Sequence, residues 1–73
     1  MERIAIIGLG LIGGSLGLAI KRAEIEGVEL AGTARTRETV RKAKKLGAID
    51  IEARTAAEAA HGARLVVIAS PIM

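Results

Sequence analysis

The 73-residue sequence contains no cysteine and no phenylalanine, tyrosine or tryptophan. Without thiols the chain can form neither a disulfide nor a thiolate metal site, and this fits a reducing compartment. Without aromatic side chains, the hydrophobic core has to be built from Ile, Leu, Val and Ala. The same absence removes the stacking platforms on which proteins bind single-stranded nucleic acid. We therefore predict a small aliphatic core, no metal site and no nucleic-acid partner.

Long apolar runs are also absent. No stretch approaches the roughly 20 apolar residues that a membrane-spanning helix requires. At the amino terminus, Glu2 and Arg3 precede only the run Ile4–Ile7, which is too short for a signal peptide. The sequence thus indicates a cytoplasmic protein without a membrane segment.

Glycine, by contrast, is abundant, and three glycines form the pattern Gly8-x-Gly10-x-x-Gly13. Gly8 lets the chain leave a strand in a tight turn, Gly10 leaves room for a diphosphate near the backbone, and Gly13 lets a helix pack close to the strand. The amides that follow Gly10 fall in the first helical turn, where N–H groups lack intrahelical partners and the helix dipole is positive. The spacing predicts a dinucleotide-binding turn made of Gly8, Leu9, Gly10, Leu11, Ile12 and Gly13. The structural alternative is a glycine-rich turn without a ligand; a Walker A loop is excluded because no Gly-Lys-Ser/Thr follows.

Apolar runs and helical periodicities alternate along the rest of the chain. Thr36 is a suitable N-cap, and the segment from Thr55 to Glu58 fits a capping box. We predict strands over Arg3–Ile7, Val28–Thr33, about Ile51–Ala53 and Arg64–Ala69, and helices over about Leu11–Ala23, Arg37–Leu46 and Thr55 to near Gly62. This alternation predicts an α/β fold, a Rossmann-type parallel sheet with flanking helices and strand order 3-2-1-4, comprising the first βαβαβ half and a fourth strand.

The end of the second strand predicts which dinucleotide binds. In the NAD fingerprint an acidic residue about twenty positions past the glycines accepts the ribose hydroxyls, but this position is Ala34, followed by Arg35, Thr36 and Arg37. Without the carboxylate a 2′-phosphate is not repelled, and two guanidinium groups and a hydroxyl can bind it. We predict NADP, with NAD still possible. The alternative is that Arg35 stacks on adenine and Arg37 is merely solvated.

The end of the fourth strand should lie beside the first strand at the switch point of the sheet, where ligands bind. Ala69, Ser70 and Pro71 are therefore predicted to line the floor near the nicotinamide. The strand itself, Leu65–Ile68, would form an open apolar sheet edge, and such edges invite association. Gly14 and Gly17 each cost about 1 kcal/mol relative to Ala inside a helix, so we expect both to pack closely against neighbouring backbone.

Two further features are given structural interpretations. Arg41, Lys42, Lys44 and Lys45 make the second predicted helix basic, although the net charge of the chain is only +3. A solvated face with cations near the helix C-terminus is favoured over a nucleic-acid patch, because no aromatic residues are interleaved. His61, the single histidine, has no catalytic or ligating partner nearby and is interpreted as a helix-end residue.

Three stretches of the sequence resemble one family. Gly8–Ile20 resembles the opening of the prephenate/arogenate dehydrogenases of tyrosine biosynthesis, and Leu46–Asp50 and Ala63–Pro71 resemble two further stretches of the same amino-terminal domain. There are two departures: many relatives carry Asp where Ala34 stands, which again favours NADP, and Arg64 replaces a common Asp.

The resemblance implies an enzyme that oxidatively decarboxylates prephenate or arogenate and passes a hydride to a nicotinamide. In that family a mainly helical domain follows and forms a homodimer. We therefore expect residues 1–73 to be the amino-terminal part of an NAD(P)-binding Rossmann domain in a larger protein, with the remainder of this domain and the helical domain missing. Alone, this part is expected to be marginally stable and inactive. The family's catalytic His and its substrate-binding Ser, His and Arg lie beyond residue 73, so no catalytic residue is predicted here, and a small-molecule substrate would bind only with the missing domain.

Two other functions stay open at this point. One is another NAD(P)-dependent enzyme with the same type of domain, such as an imine reductase or a 3-hydroxyacid dehydrogenase. The other is a non-enzymatic module that senses a dinucleotide.

Overall fold

The computed structural model describes residues 2–69, and at residues 11 and 12 the backbone alone. Within that range the strands and helices alternate as β1 (Glu2–Ile7), α1 (Leu11–Arg22), β2 (Val28–Thr33), α2 (Arg37–Lys45), β3 (Ile51–Glu52), α3 (Ala56–Ala60) and β4 (Ala63–Ile68). The four strands form one parallel sheet in the order β3-β2-β1-β4. The predicted Rossmann-type α/β fold and strand order are confirmed, with boundaries that differ by one or two residues.

Each face of the sheet has its own small core, because alternate side chains of a strand point to opposite faces. Ile6 of β1 and Leu30 of β2 are fully buried on the face covered by α1 and α2. Ala5, Ala31 and Ala59 are buried on the opposite face, which α3 covers. Since the alanine side chains are small, α3 and the sheet can pack only if their backbones come close together.

Gly17 of α1 shows how close that approach is. A Cβ at this position would overlap with the carbonyl oxygen of Ala48, in the loop between α2 and β3. At Gly14, one turn earlier, a Cβ would come within 4 Å of no atom beyond the adjoining residues and the backbone of α1 itself. The expectation of close backbone packing is therefore right for Gly17 and wrong for Gly14, which faces open space.

β4 is the edge strand of the described sheet and pairs with β1 alone. Leu65, Val66 and Ile68 are 52%, 43% and 75% exposed. The predicted open apolar edge is thus confirmed.

None of the helices between residues 2 and 69 combines the length and the apolar character needed to cross a membrane.

Asp50, just before β3, forms hydrogen bonds with residues of α1 and β2. Its Oδ1 accepts a hydrogen bond from Lys21 Nζ at 2.7 Å, and its Oδ2 accepts one from the Leu30 amide at 2.8 Å. The Asp50 amide donates in turn to the Leu30 carbonyl oxygen at 2.8 Å. Burial alone would raise the pKa of the Asp50 carboxyl, but the hydrogen bonds from Lys21 and Leu30 and the charges of Lys21 and Lys44 outweigh it and lower the pKa.

The lowered pKa predicts a pH-dependent contribution to stability. Because the folded state binds the Asp50 proton less tightly than the unfolded chain does, this contribution is complete above the unfolded pKa, near 4, and is lost as the pH falls through the folded pKa. We expect Asp50→Asn to lower the melting temperature of the full-length protein at about pH 7 and to have a progressively smaller effect as the pH falls below about 4. Thermal unfolding of both proteins across this range measures the difference. A difference that stays constant with pH would contradict the prediction.

Candidate functional site

The glycine turn after β1 is anchored to the end of β2. Gly8 has a φ of 95°, in the left-handed region that glycine adopts without steric cost. The amides of Gly8 and Leu9 both donate to the carbonyl oxygen of Thr33, at 2.9 and 3.0 Å. These bonds hold the turn directly beside the segment that begins at Ala34, so two of the predicted site segments are neighbours.

Gly10 and Gly13 differ in their surroundings in the way that their expected roles require: Gly13 is closely packed and Gly10 is open. A Cβ at Gly13 would overlap with the carbonyl oxygen of Gly8 and come within 3.3 Å of Ile6 Cγ2. Gly10 is exposed, and no protein atom lies within 4 Å of where its Cβ would be. Gly13 therefore allows α1 to pack against the end of β1, and Gly10 leaves the start of α1 open to a ligand.

The start of α1 has the properties of an anion site. The helix begins at Leu11, Gly10 provides no side-chain cap, and its first turn contains no acidic residue. The amides of Leu11 and Ile12 belong to this first turn, where the helix offers no acceptor and the dipole is positive. Together with the open approach at Gly10, these features fit the diphosphate of a dinucleotide.

Leu9 supports the turn from within. Its side chain is only 2% exposed and belongs to the core between the sheet and the two helices. This packing depends on Gly32 in β2, because a Cβ there would come within 2.7 Å of Leu9 Cδ1 and 2.8 Å of Ile49 Cγ2. The sequence analysis did not identify Gly32, although a glycine inside a predicted strand is a known sign of close approach.

The segment after β2 presents its polar groups to solvent. Ala34 is partly buried and packs against the core under α1 and α2, whereas Arg35, Thr36 and Arg37 are exposed. Thr36 is the predicted N-cap of α2: its Oγ1 accepts from the Thr39 amide at 3.2 Å and lies 2.8 Å from Thr39 Oγ1. Neither arginine takes part in an ion pair with another residue of the described range.

An open cleft of about 650 Å³ separates the first turns of α1 from α2. Gly10 and Gly14 contribute to one wall and Thr36 to the other, and the cleft carries two charged side chains, Glu38 and Lys42. The complete lining is Leu9, Gly10, Gly14, Ser15, Leu18, Thr36, Glu38, Thr39, Lys42, Ala43, Leu46 and Ala48. Of the predicted site residues, the cleft thus brings together Leu9, Gly10 and Thr36, and it adds Glu38, Thr39 and Lys42, which the sequence analysis did not assign to the site.

The end of β4 lies where the fold predicts. The Ala69 amide donates to the Ile7 carbonyl oxygen at 2.8 Å, which places Ala69 beside the residue that precedes Gly8. The other two residues predicted for this floor, Ser70 and Pro71, lie outside the described residues.

His61 lies at the end of the sheet where the parallel strands begin. It follows α3, and its carbonyl oxygen accepts from Arg3 Nη1 at 3.2 Å, near the start of β1. The glycine turn is at the other end of β1. This position agrees with the interpretation of His61 as a helix-end residue.

The contrast between Gly10 and Gly13 predicts two distinguishable losses in the full-length protein. Gly10→Ala should leave stability nearly unchanged and weaken NADP binding about tenfold or more, because the new Cβ meets only the ligand. Gly13→Ala should lower the free energy of unfolding by roughly 1 to 3 kcal/mol as well, since its Cβ overlaps with backbone. Denaturant unfolding and calorimetric titration measure the two effects. Normal NADP binding by Gly10→Ala would show that no ligand approaches residue 10.

The described fold matches solved structures of two dehydrogenases. An arogenate dehydrogenase from Synechocystis is 28% identical, with a TM-score of 0.83, over 96% of this chain and 24% of that one. A prephenate dehydrogenase from A. aeolicus, solved with hydroxyphenyl propionate and NAD⁺, is 29% identical, with a TM-score of 0.83, over 97% of this chain and 25% of that one. The chain thus spans about a quarter of the length of either structure, and its resemblance to the prephenate/arogenate dehydrogenase amino-terminal domain is confirmed.

A family comparison agrees with the structural one. No curated protein sequence matches the chain. A family model described as "NADP oxidoreductase coenzyme F420-dependent" matches residues 3–73. Because the match extends over nearly all of its length, the chain belongs to this family of NADP oxidoreductases.

Proposed function

We propose that the full-length protein is an NADP-linked prephenate or arogenate dehydrogenase, and that residues 1–73 supply the first part of its dinucleotide-binding domain. The observation that carries the proposal is the turn at the end of β1, where Gly13 closes against the Gly8 carbonyl and Gly10 stays open. The likeness to the arogenate and prephenate dehydrogenase structures supports the same reading.

The residues of the turn would hold the cofactor as follows. The amides of Leu11 and Ile12 face the diphosphate at the start of α1, and Gly10 lets it approach the backbone. Ala69, at the end of β4, adjoins the nicotinamide half, together with Ser70 and Pro71. When bound, the nicotinamide supplies the acceptor for the hydride that leaves the substrate.

The chemistry on the substrate requires groups from the remainder of the protein. His61 lies near the start of β1, at the end of the sheet away from the glycine turn, so we assign no catalytic residue within this chain. Proton transfer and recognition of the substrate carboxylates belong to residues that follow residue 73, in the remainder of the Rossmann domain and in a helical domain that also forms a homodimer. The proposed protein is cytoplasmic.

The choice of NADP rests on the segment after β2. Ala34 offers no carboxylate to accept ribose hydroxyls, and Arg35, Thr36 and Arg37 are exposed next to it. Guanidinium groups bind phosphate through paired hydrogen bonds, so this segment suits a 2′-phosphate. The description of the family supports NADP as well, although the A. aeolicus prephenate dehydrogenase was solved with NAD⁺.

A second candidate follows from the family description, which includes oxidoreductases that act with coenzyme F420. Such an enzyme would share the dinucleotide site and differ in the second substrate. The candidate therefore predicts NADP binding without activity on prephenate or arogenate.

The substrate class is tested with the full-length protein. We expect NADPH formation and release of CO₂ when prephenate or arogenate is added with NADP⁺, because loss of the carboxylate drives hydride transfer. NADPH absorbance and CO₂ release are measured together. NADP binding without turnover of either compound would contradict the dehydrogenase assignment, and reduction of NADP⁺ by reduced coenzyme F420 would favour the second candidate.

The cofactor preference is tested with a double substitution of Arg35 and Arg37 by Ala. We expect the affinity for NADP to fall about tenfold or more while the affinity for NAD changes little, since only NADP carries the phosphate that the guanidinium groups would bind. Titration of both cofactors measures the ratio. Equal losses for NADP and NAD would show that these arginines do not recognise the 2′-phosphate.

A further inference from the structure

The cleft between α1 and α2 contains a cation that the glycine fingerprint does not predict. Lys42 lines the cleft, whereas Arg35 and Arg37 do not. Within residues 2–69, Lys42 forms no ion pair, even with Glu38 one turn before it. We propose that Lys42 is a specificity-determining residue that binds the 2′-phosphate of NADP inside this cleft; the inference rests on the proposed function, which it extends from the exposed arginines to α2 itself.

The geometry of α2 brings Lys42 within reach of the glycine turn. Lys42 is six positions after the N-cap Thr36, a rise of about 9 Å along the axis. Helical side chains lean toward the N-terminus, so a lysine at this position extends over the preceding turn. That turn carries Glu38 and Thr39, four and three positions earlier on the same face. The long side chain of Lys42 can therefore carry its ammonium group toward the N-terminus of α2.

The opposite wall leaves room for a phosphorylated ribose. Gly10 and Gly14 both line the cleft, and at neither would a Cβ come within 4 Å of atoms beyond the adjoining residues and, at Gly14, the backbone of its own helix. The cleft is also lined by apolar side chains, those of Leu18, Ala43 and Leu46. A lining that is partly polar and partly apolar suits the adenosine end of a dinucleotide, whose phosphate is charged and whose base is apolar on its faces.

Hydroxyl groups complete the phosphate contacts on the α2 side. Thr36 Oγ1 accepts from the Thr39 amide and is 2.8 Å from Thr39 Oγ1. In this pair one hydroxyl donates to the other, so the second O–H is left to donate to a phosphate oxygen. The ammonium group of Lys42 would thus provide a positive charge for the phosphate, and this hydroxyl a directional hydrogen bond to it.

Removing the charge of Glu38 should have the opposite effect on phosphate binding to removing the charge of Lys42. Its carboxylate lines the same cleft as Lys42, so it repels a phosphate that Lys42 attracts. If the phosphate enters the cleft, removing the two charges has effects of opposite sign. If the phosphate stays with the exposed arginines outside, neither charge has a strong effect.

The test uses the full-length protein and calorimetric titration with 2′,5′-ADP and with 5′-AMP, which lacks the 2′-phosphate. We expect Lys42→Met to weaken 2′,5′-ADP about tenfold or more and to change 5′-AMP less than about twofold. Glu38→Gln should strengthen 2′,5′-ADP binding severalfold, a gain that a misfolded variant cannot produce. Lys45→Met is the matched control: Lys45 is an exposed lysine of the same helix outside the cleft, and its loss should cost less than about twofold.

The outcomes separate this inference from the proposed function. Equal effects of Lys42→Met and Lys45→Met, or equal losses for both probes, would overturn the role of Lys42. The same conclusion holds if Arg35→Ala abolishes the preference for 2′,5′-ADP and Lys42→Met does not, and the proposed NADP-linked function would then stand. A wild-type protein that binds neither NADP nor 2′,5′-ADP would overturn both.

Discussion

The site depends on the two hydrogen bonds that the carbonyl oxygen of Thr33 accepts from the amides of Gly8 and Leu9. They join the ends of β1 and β2 at the point where α1 starts, and they fix the direction in which the helix leaves the sheet. Gly8 can provide its amide because it adopts a left-handed conformation, and Gly13 lets the helix fold back against the Gly8 carbonyl. The open backbone at Gly10 follows from this arrangement, because the chain on either side of it is already held.

The aliphatic core explains why glycine matters away from the turn as well. The chain has no aromatic side chain with which to fill space between layers. It instead brings backbone close to its neighbours: Gly17 lies against Ala48, and Gly32 makes room for Leu9 and Ile49. Leu9 belongs both to the glycine turn and to the core under α1 and α2, in which it is buried. A substitution that shifts Leu9 in the core would therefore also shift the turn.

Charge is distributed so that the two ends of the sheet differ. At the carboxyl ends of the strands, the first turn of α1 has no acid and the nearby segment contains Arg35 and Arg37. At other places the charges are used for structure, as in the contact of Asp50 with Lys21 and the Leu30 amide. The basic helix α2 combines the two uses: one of its faces borders the cleft and includes Lys42, and its last turn places lysines where the helix dipole is negative.

The sequence by itself determined the elements, the strand order and the glycine turn, because each follows from local spacing or from the right-handed crossover rule. It could also place Ala34–Arg37 beside the turn, since the ends of adjacent parallel strands meet. Only the tertiary structure separated Gly17, which packs against backbone, from Gly14, which faces a cleft. Likewise, only the tertiary structure assigned Lys42 and Glu38 to that cleft, while Arg35 and Arg37 remained outside. The physical reason is that helical spacing gives the face on which a residue lies, whereas the neighbour that the face meets depends on how α1 and α2 pack on the sheet.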